Sequence, residues 1–227
     1  MPGDTMWPAE LSWGPLLLRP LRRGDRREYT EVRRANVEWL RPWEATVPDP
    51  TWRPPGFAEM RSMAARSGRE GRSLPFALQV DGRFRGQLTV SGFQWGSLAS
   101  ASMGYWIDRR VAGRGLTPIA VALATDHCFA AGLHRMEIAI RPENAASLRV
   151  VEKLGLRDEG VRERYMHIGG DWRDHRVFSL LSEDVPFGLM HWFSREQGLA
   201  DGALTDGALT GEGASPDEDV VPPEPGR

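Results

Sequence analysis

Six residues, Arg110-Val111-Ala112-Gly113-Arg114-Gly115, join a strand-like run, ASMGYWIDRR (101–110), to an Ala/Leu-rich stretch with no further glycine until Gly132. Glycine lets a backbone turn tightly and approach a ligand with no Cβ in the way. The first N–H groups of a helix lack internal partners and suit an anion. Successive N–H groups in such a turn form a concave nest for phosphate oxygens. Arg110 and Arg114 add charge, and Thr117 is placed to cap the helix. The segment reads as a pyrophosphate cradle, although a glycine-rich strand-to-helix turn without a ligand has the same local pattern. A Walker loop is excluded because no Gly-Lys-Ser/Thr follows. A dinucleotide fingerprint fits poorly: the third glycine position is Pro118, and no acid follows about 20 residues on at the end of the next strand. The expected ligand is a nucleotide of another kind.

Other reactive side chains are few. Cys128 is the single cysteine and lies in a helical run, where a small buried hydrophobe is expected rather than a nucleophile. The 5 histidines show no metal-ligand spacing, so no metal is expected. Seven of the 31 acids and one of the 29 bases lie from Gln197 onward, which leaves a mildly basic body suited to an anionic ligand. That excess is too small to imply nucleic-acid binding. No apolar run reaches membrane-spanning length, and the N-terminus lacks a secretory pattern, so a cytoplasmic protein away from membranes is expected.

The elements that must position the loop alternate between strand and helix patterns. Strands are expected at 15–20, on either side of Asp81-Gly82, at 101–110, at 134–142, and on either side of Gly169-Gly170. Asp-Gly between alternating apolar residues signals a hairpin. Helices are expected at 24–40, 55–68, 117–131 and 144–155. About seven strands and four helices make a mixed sheet of α/β (α+β) class. The strand, helix and strand from 101 to 142 form one parallel, right-handed crossover. The segment from 198, with its tandem DGALT and its Gly, Pro and acidic residues, is expected to be disordered.

The combination RxxGxG (110–115), GYWIDRRVAGRGL (104–116), RPENAASLRVVEKLGLRDEG (141–160) and GGDWRDH (169–175) resembles the GNAT N-acetyltransferases, and within them the RimJ/RimL ribosomal-protein N-terminal acetyltransferases. The resemblance spans about residues 15–184. It implies a GNAT fold with splayed parallel strands, and acetyl-coenzyme A as cofactor. Together with the composition of the tail, the expected division is an N-terminal extension (1–14), an acetyltransferase domain (15–196) and an acidic tail (197–227). It places the pantetheine arm beside Trp106, Ile107 and Val111. The pyrophosphate falls on Ala112, Gly113, Arg114, Gly115, Leu116 and Thr117, and the arm's amide region on Asn144. Asparagine also favours a plain N-cap there.

Two departures complicate the chemistry. The tyrosine that many members place seven residues after the asparagine is Val151 here, and the glutamate of RimI-like relatives is Ala139. The resemblance then leaves Ser147 as proton donor or positioner of the sulfur, or a solvated hydroxyl. Glu137, on the same strand face as position 139, becomes the base through water, or the partner of an arginine. Tyr165 and His134 are lesser candidates. Acceptor contacts are expected from Trp39, Trp43, Tyr105 and Tyr165, with packing at the helix–loop junction as the alternative for the tryptophans. The acceptor is a protein N-terminus or a small amine, and the protein a monomer or homodimer. A coenzyme A-binding regulator without turnover is the remaining reading.

Overall fold

A computed structural model describes residues 6–199. One eight-stranded sheet runs in the order β1-β2-β3-β4-β5-β6-β8-β7. Its first members are β1 (Leu11–Trp13), β2 (Leu16–Pro20), β3 (Ser73–Val80) and β4 (Arg83–Gln94). Then come β5 (Ser100–Ile107), β6 (Arg135–Ile140), β7 (Arg157–Ile168) and β8 (Asp171–Leu181). Every neighbouring pair is antiparallel except β5 and β6. Asp81 and Gly82 both take positive φ (49° and 75°), the pattern of a two-residue hairpin turn whose twist matches its strands.

Two differences from the expected count have local causes. β1 is only three residues long and sits just before Gly14-Pro15, too short to show periodicity, yet it pairs with β2. The sheet therefore already begins at Leu11, ahead of residue 15. Among the described residues there are six α-helices: α1 (Arg26–Ala35), α2 (Val37–Leu40), α3 (Phe57–Arg69), α4 (Leu116–Ala130), α5 (Ala145–Lys153) and α6 (Leu189–Gln197). The expected helix 24–40 is broken at Asn36, and α6 had no counterpart in the sequence reading. Leu199, read as tail, packs against the core, while 200–227 lie outside the described residues.

The sheet separates two cores. α4, α5 and α6 cover one face, against Leu18, Phe76, Leu88, Met103, Met136 and Ile138. α1 and α3 cover the other through Val32, Tyr29, Phe57 and Met60, against Ala77, Phe84 and Trp106. α4 is buried nearly all round, which explains its lack of a polar stripe. Cys128 on it is fully buried, and burial pushes its thiol up to about 12, consistent with a core residue rather than a nucleophile.

Where β4 meets β5, a Cβ on Gly86 would stand 2.2 Å from the Trp106 carbonyl oxygen and 3.0 Å from Ile107 Cα. Both are backbone atoms that cannot swing aside. Gly86→Ala is expected to cost about 1–3 kcal/mol through forced separation of the strands, lowering Tm by roughly 2–12 °C. An unchanged melting curve would show that the strands yield there freely.

Candidate active site

β5 and β6 pair in parallel over only three positions, Ser100↔Arg135, Ala101↔Met136 and Ser102↔Glu137. Beyond them β5 continues to Ile107 and β6 to Ile140 with no ladder between them. β5 stays paired with β4 and β6 with β8, so the sheet opens as a wedge in its interior. Backbone groups on the facing edges of the wedge lack strand partners, and buried backbone groups are rarely left so.

The glycine loop lies where β5 leaves the sheet. Gly113 and Gly115 take φ of 80° and 72°, with Arg114 between them outside that region. Gly115 itself is the N-cap of α4, so Thr117 is the second helical residue and its side chain does no capping. Among the described residues, the N–H groups of Gly113, Arg114, Gly115, Leu116 and Thr117 find no acceptor in the chain. The Ala112 N–H instead closes a turn on the Arg109 carbonyl (3.2 Å), so the free nest starts one residue later than the sequence suggested.

Arg110 is not free to meet an anion in the way the sequence implied. Its guanidinium is held by Asp108 (Nη2 at 2.8 Å), with Glu31 further off at 3.5 Å. Asp108 is fully buried and also accepts from Arg85 Nη1 (3.0 Å) and Asn36 Nδ2 (3.0 Å). Burial pushes its carboxyl up, but the hydrogen bonds from Arg110 and Asn36 outweigh that and hold it below the usual range. Asn36 Oδ1 in turn accepts from the Arg109 N–H (2.8 Å). This network, from a helix break 72 residues away, fixes the turn that leads into the nest. No local signal marks Asn36 or Asp108 for that role. Arg114, exposed and with no carboxylate partner among the described residues, is the cation left at the loop.

At the other side of the wedge, Asn144 caps α5 by accepting from the Ser147 N–H at 3.1 Å. The plain-cap role is therefore real, and it uses only the oxygen of that amide. Ser147, on the first turn, is partly exposed and near enough to act on the Tyr105 phenol, with no hydrogen bond formed between them. Val151 is completely buried, and Ala139 is partly buried with no polar side chain to offer.

Glu137 holds the last paired position before the strands part. Its carboxylate accepts from Arg135 Nε (2.9 Å) and Arg162 Nη2 (3.1 Å), so the arginine-partner reading describes its contacts within the chain. Arg162 also donates to the Tyr165 hydroxyl (3.2 Å) and lies over its ring at 5.1 Å. His134 sits at the closed end of the wedge, paired with Glu183, away from the opening. His175, unremarked in the sequence beyond its motif, is buried beside the Tyr165 ring (5.7 Å). Pairing of Glu137 with Ser179 and Ala139 with Val177 puts His175 on the Glu137 face. Burial holds its imidazole below the usual value, so it is neutral near pH 7.

Neighbouring residues of β5 point to opposite faces. Trp106 packs into the α1 core against Tyr29 and Phe84, so only its backbone borders the wedge. Tyr105 packs into the α4–α6 core instead, on the opposite face from Trp106. Trp39 and Trp43 lie on a segment that crosses the wedge mouth. Arg109 stacks over Trp39 at 5.6 Å, and Arg141 over Trp43 at 5.5 Å. The crossing ends where the Thr46 N–H donates to the His167 carbonyl (2.8 Å). Their rings carry guanidinium groups, which is packing at the junction, and the stacked arginines form the rim.

An acetyltransferase (GNAT) domain profile matches residues 15–157, the stretch that contains the wedge, the nest and all of α5. The chain belongs to the GNAT acetyltransferase family. It is similar to Mycobacterium smegmatis RimJ, solved in complex with CoA-disulfide, at 34% identity and a TM-score of 0.80, covering 87% of this chain and 99% of that one. It is 27% identical over 157 residues to the [ribosomal protein uS5]-alanine N-acetyltransferase of Escherichia coli, covering 66% of this chain and 78% of that protein. The probable N-acetyltransferase YjcK of Bacillus subtilis is 40% identical over 99 residues, a match that spans 42% of this chain and 55% of that protein. The mixed sheet with an internal parting is the GNAT fold in this member. What this GNAT chain lacks, at Val151 and Ala139, is a side chain that could carry a proton.

Proposed function

We propose that this protein is an N-acetyltransferase that uses acetyl-coenzyme A to acetylate the α-amine of a protein N-terminus of ribosomal type in the cytoplasm. The observation that carries the reading is the parted β5–β6 edge with five unpartnered N–H groups at its exit. These are the features that a diphosphate and an amide-bearing arm would complete. The cofactor supplies an acetyl group activated as a thioester.

The chain's own residues divide the work. The N–H groups from Gly113 to Thr117 hold the diphosphate, with Arg114 adding charge and Ala112 and Leu116 shaping the nest. Backbone groups of Trp106, Ile107 and Val111 line the arm, and the free amide nitrogen of Asn144 donates to it. Backbone N–H groups on the open edge of β5 face the oxygen where charge develops, the usual source of transition-state stabilisation in acyl transfer. Ser147 stands by the sulfur. An α-amine titrates near pH 8, so a modest base suffices to take its proton, and Glu137, with lone pairs beyond those given to Arg135 and Arg162, takes it through water. Tyr165, Trp39 and Trp43 border the acceptor approach with their arginines.

A thiol-release assay on peptides beginning with Ala or Ser, run beside a panel of small amines, tests this reading. Turnover on peptides is expected. Turnover restricted to small amines would move the acceptor class, and coenzyme A binding with no turnover on any amine would make the protein a binder.

A further inference from the structure

The phenol of Tyr105 is a side-chain polar group on the parted strand that the fold leaves without a partner. Its oxygen is buried with no hydrogen-bond partner among the described residues. The ring stands on the parted stretch of β5, among the apolar residues of the α4–α6 core. The side chain facing it is Ser147, on the first turn of the helix that follows β6. One hydroxyl therefore comes from each side of the wedge. The Ser147 backbone is itself pinned by Asn144 Oδ1.

Burying an unpaired hydroxyl costs about 1–3 kcal/mol, and phenylalanine would fill this space without that cost. Burial pushes the Tyr105 phenol up, with the Ser147 contact offsetting part of the effect. It keeps its proton at every pH where the protein works, so it can donate a hydrogen bond but cannot serve as an acid that gives its proton away.

We propose that Tyr105 is a positioning donor: its hydroxyl, unpartnered in this structure, closes onto Ser147 Oγ when the cofactor binds and so aims the Ser147 hydroxyl proton into the wedge, at the cofactor's sulfur. This rests on the coenzyme A reading above, and it reassigns Tyr105 from acceptor binding to the cofactor side of the sheet. A neutral thioester sulfur is a poor acceptor and a thiolate a strong one, because hydrogen bonds to charged groups are the stronger kind. The pair therefore interacts more with the leaving group than with the ground state, which is what raises kcat rather than lowering KM.

The test compares coenzyme A with desulfo-coenzyme A by calorimetry at about pH 9, where an ordinary thiol is mostly ionised. Wild-type protein is expected to prefer the thiol ligand by about tenfold, the value of one charged hydrogen bond. In Tyr105→Phe the preference falls to about one while desulfo-coenzyme A binds as before. In turnover, kcat falls and KM for acetyl-coenzyme A stays. Ser147→Ala gives the same loss of preference, and the double variant loses nothing further. That second variant carries the test if Tyr105→Phe does not fold. Equal affinity of wild type for both ligands, or a preference that survives Tyr105→Phe or Ser147→Ala, overturns the proposal. Failure of wild type to bind either ligand overturns the coenzyme A reading instead.

Discussion

Replacing Gly113 by valine is expected to remove coenzyme A binding while leaving the fold in place. A Cβ built on Gly113 meets no atom within 4 Å, so nothing in the protein clashes with it. The cost lies in the backbone. Gly113 sits at φ 80°, a region that a β-branched residue avoids, with a penalty of about 1–2 kcal/mol. For a domain of this size that lowers Tm by roughly 2–8 °C. The loop escapes the strain by rotating, and the rotation turns the N–H groups of Arg114 and Gly115 out of their shared direction. The side chain also fills the open space in which a diphosphate would lie. Losing two charge-assisted hydrogen bonds of about 1.5–3 kcal/mol each weakens binding at least about 100-fold. Calorimetry reads the affinity and thermal denaturation the fold. Affinity within threefold of wild type would take the diphosphate away from this loop.

Asp108→Ala is expected to damage both stability and binding. The aspartate is fully buried and ties together Asn36, Arg85, Arg110 and the turn before the nest. Alanine would leave one N–H of the buried Asn36 amide without an acceptor, the other staying on the Val32 carbonyl, would strip Arg85 of its carboxylate and would leave Arg110 only the more distant Glu31. Breaking a buried pair costs about 3–5 kcal/mol. The two arginines are 23% and 48% exposed, so water recovers part of that, and the net loss is about 2–4 kcal/mol, a fall in Tm of roughly 4–16 °C. Coenzyme A affinity drops with it, because Arg109–Val111 loses the anchor that aims the nest.

The same residue sets an acid limit. Its carboxyl titrates below the ordinary range in the folded chain. The unfolded chain binds that proton first, so the stability it contributes is present above about pH 4 and is lost as pH falls below that. In Asp108→Ala the Asp108 contribution to this acid dependence disappears. Unchanged Tm, or an identical acid profile in the variant, would show that the network carries no weight.

The elements were legible where their signals are local. Asp81-Gly82 takes positive φ at both positions because a right-twisted hairpin needs it, and Gly113 and Gly115 do so because the turn into α4 does. β6 alternates in burial residue by residue, as its sequence does. The losses came where the signal was short or non-local. Three residues of β1 are too few for a period, and Asn36, where the expected first helix breaks, donates to Asp108, a contact no window of neighbours contains.

By itself the sequence determined a mixed sheet, one parallel crossover and a glycine loop with exposed amides feeding a helix, because backbone sterics and side-chain periodicity act over a few residues. Only the tertiary structure decided which charges are spoken for and which polar groups are left open. Arg110 looked free and is bound to Asp108; Glu137 is held by two arginines; Tyr105 and Trp106, adjacent in the chain, serve opposite faces of the sheet. Ion pairing and the burial of a hydroxyl depend on atoms brought together from distant segments, and folding alone sets those distances.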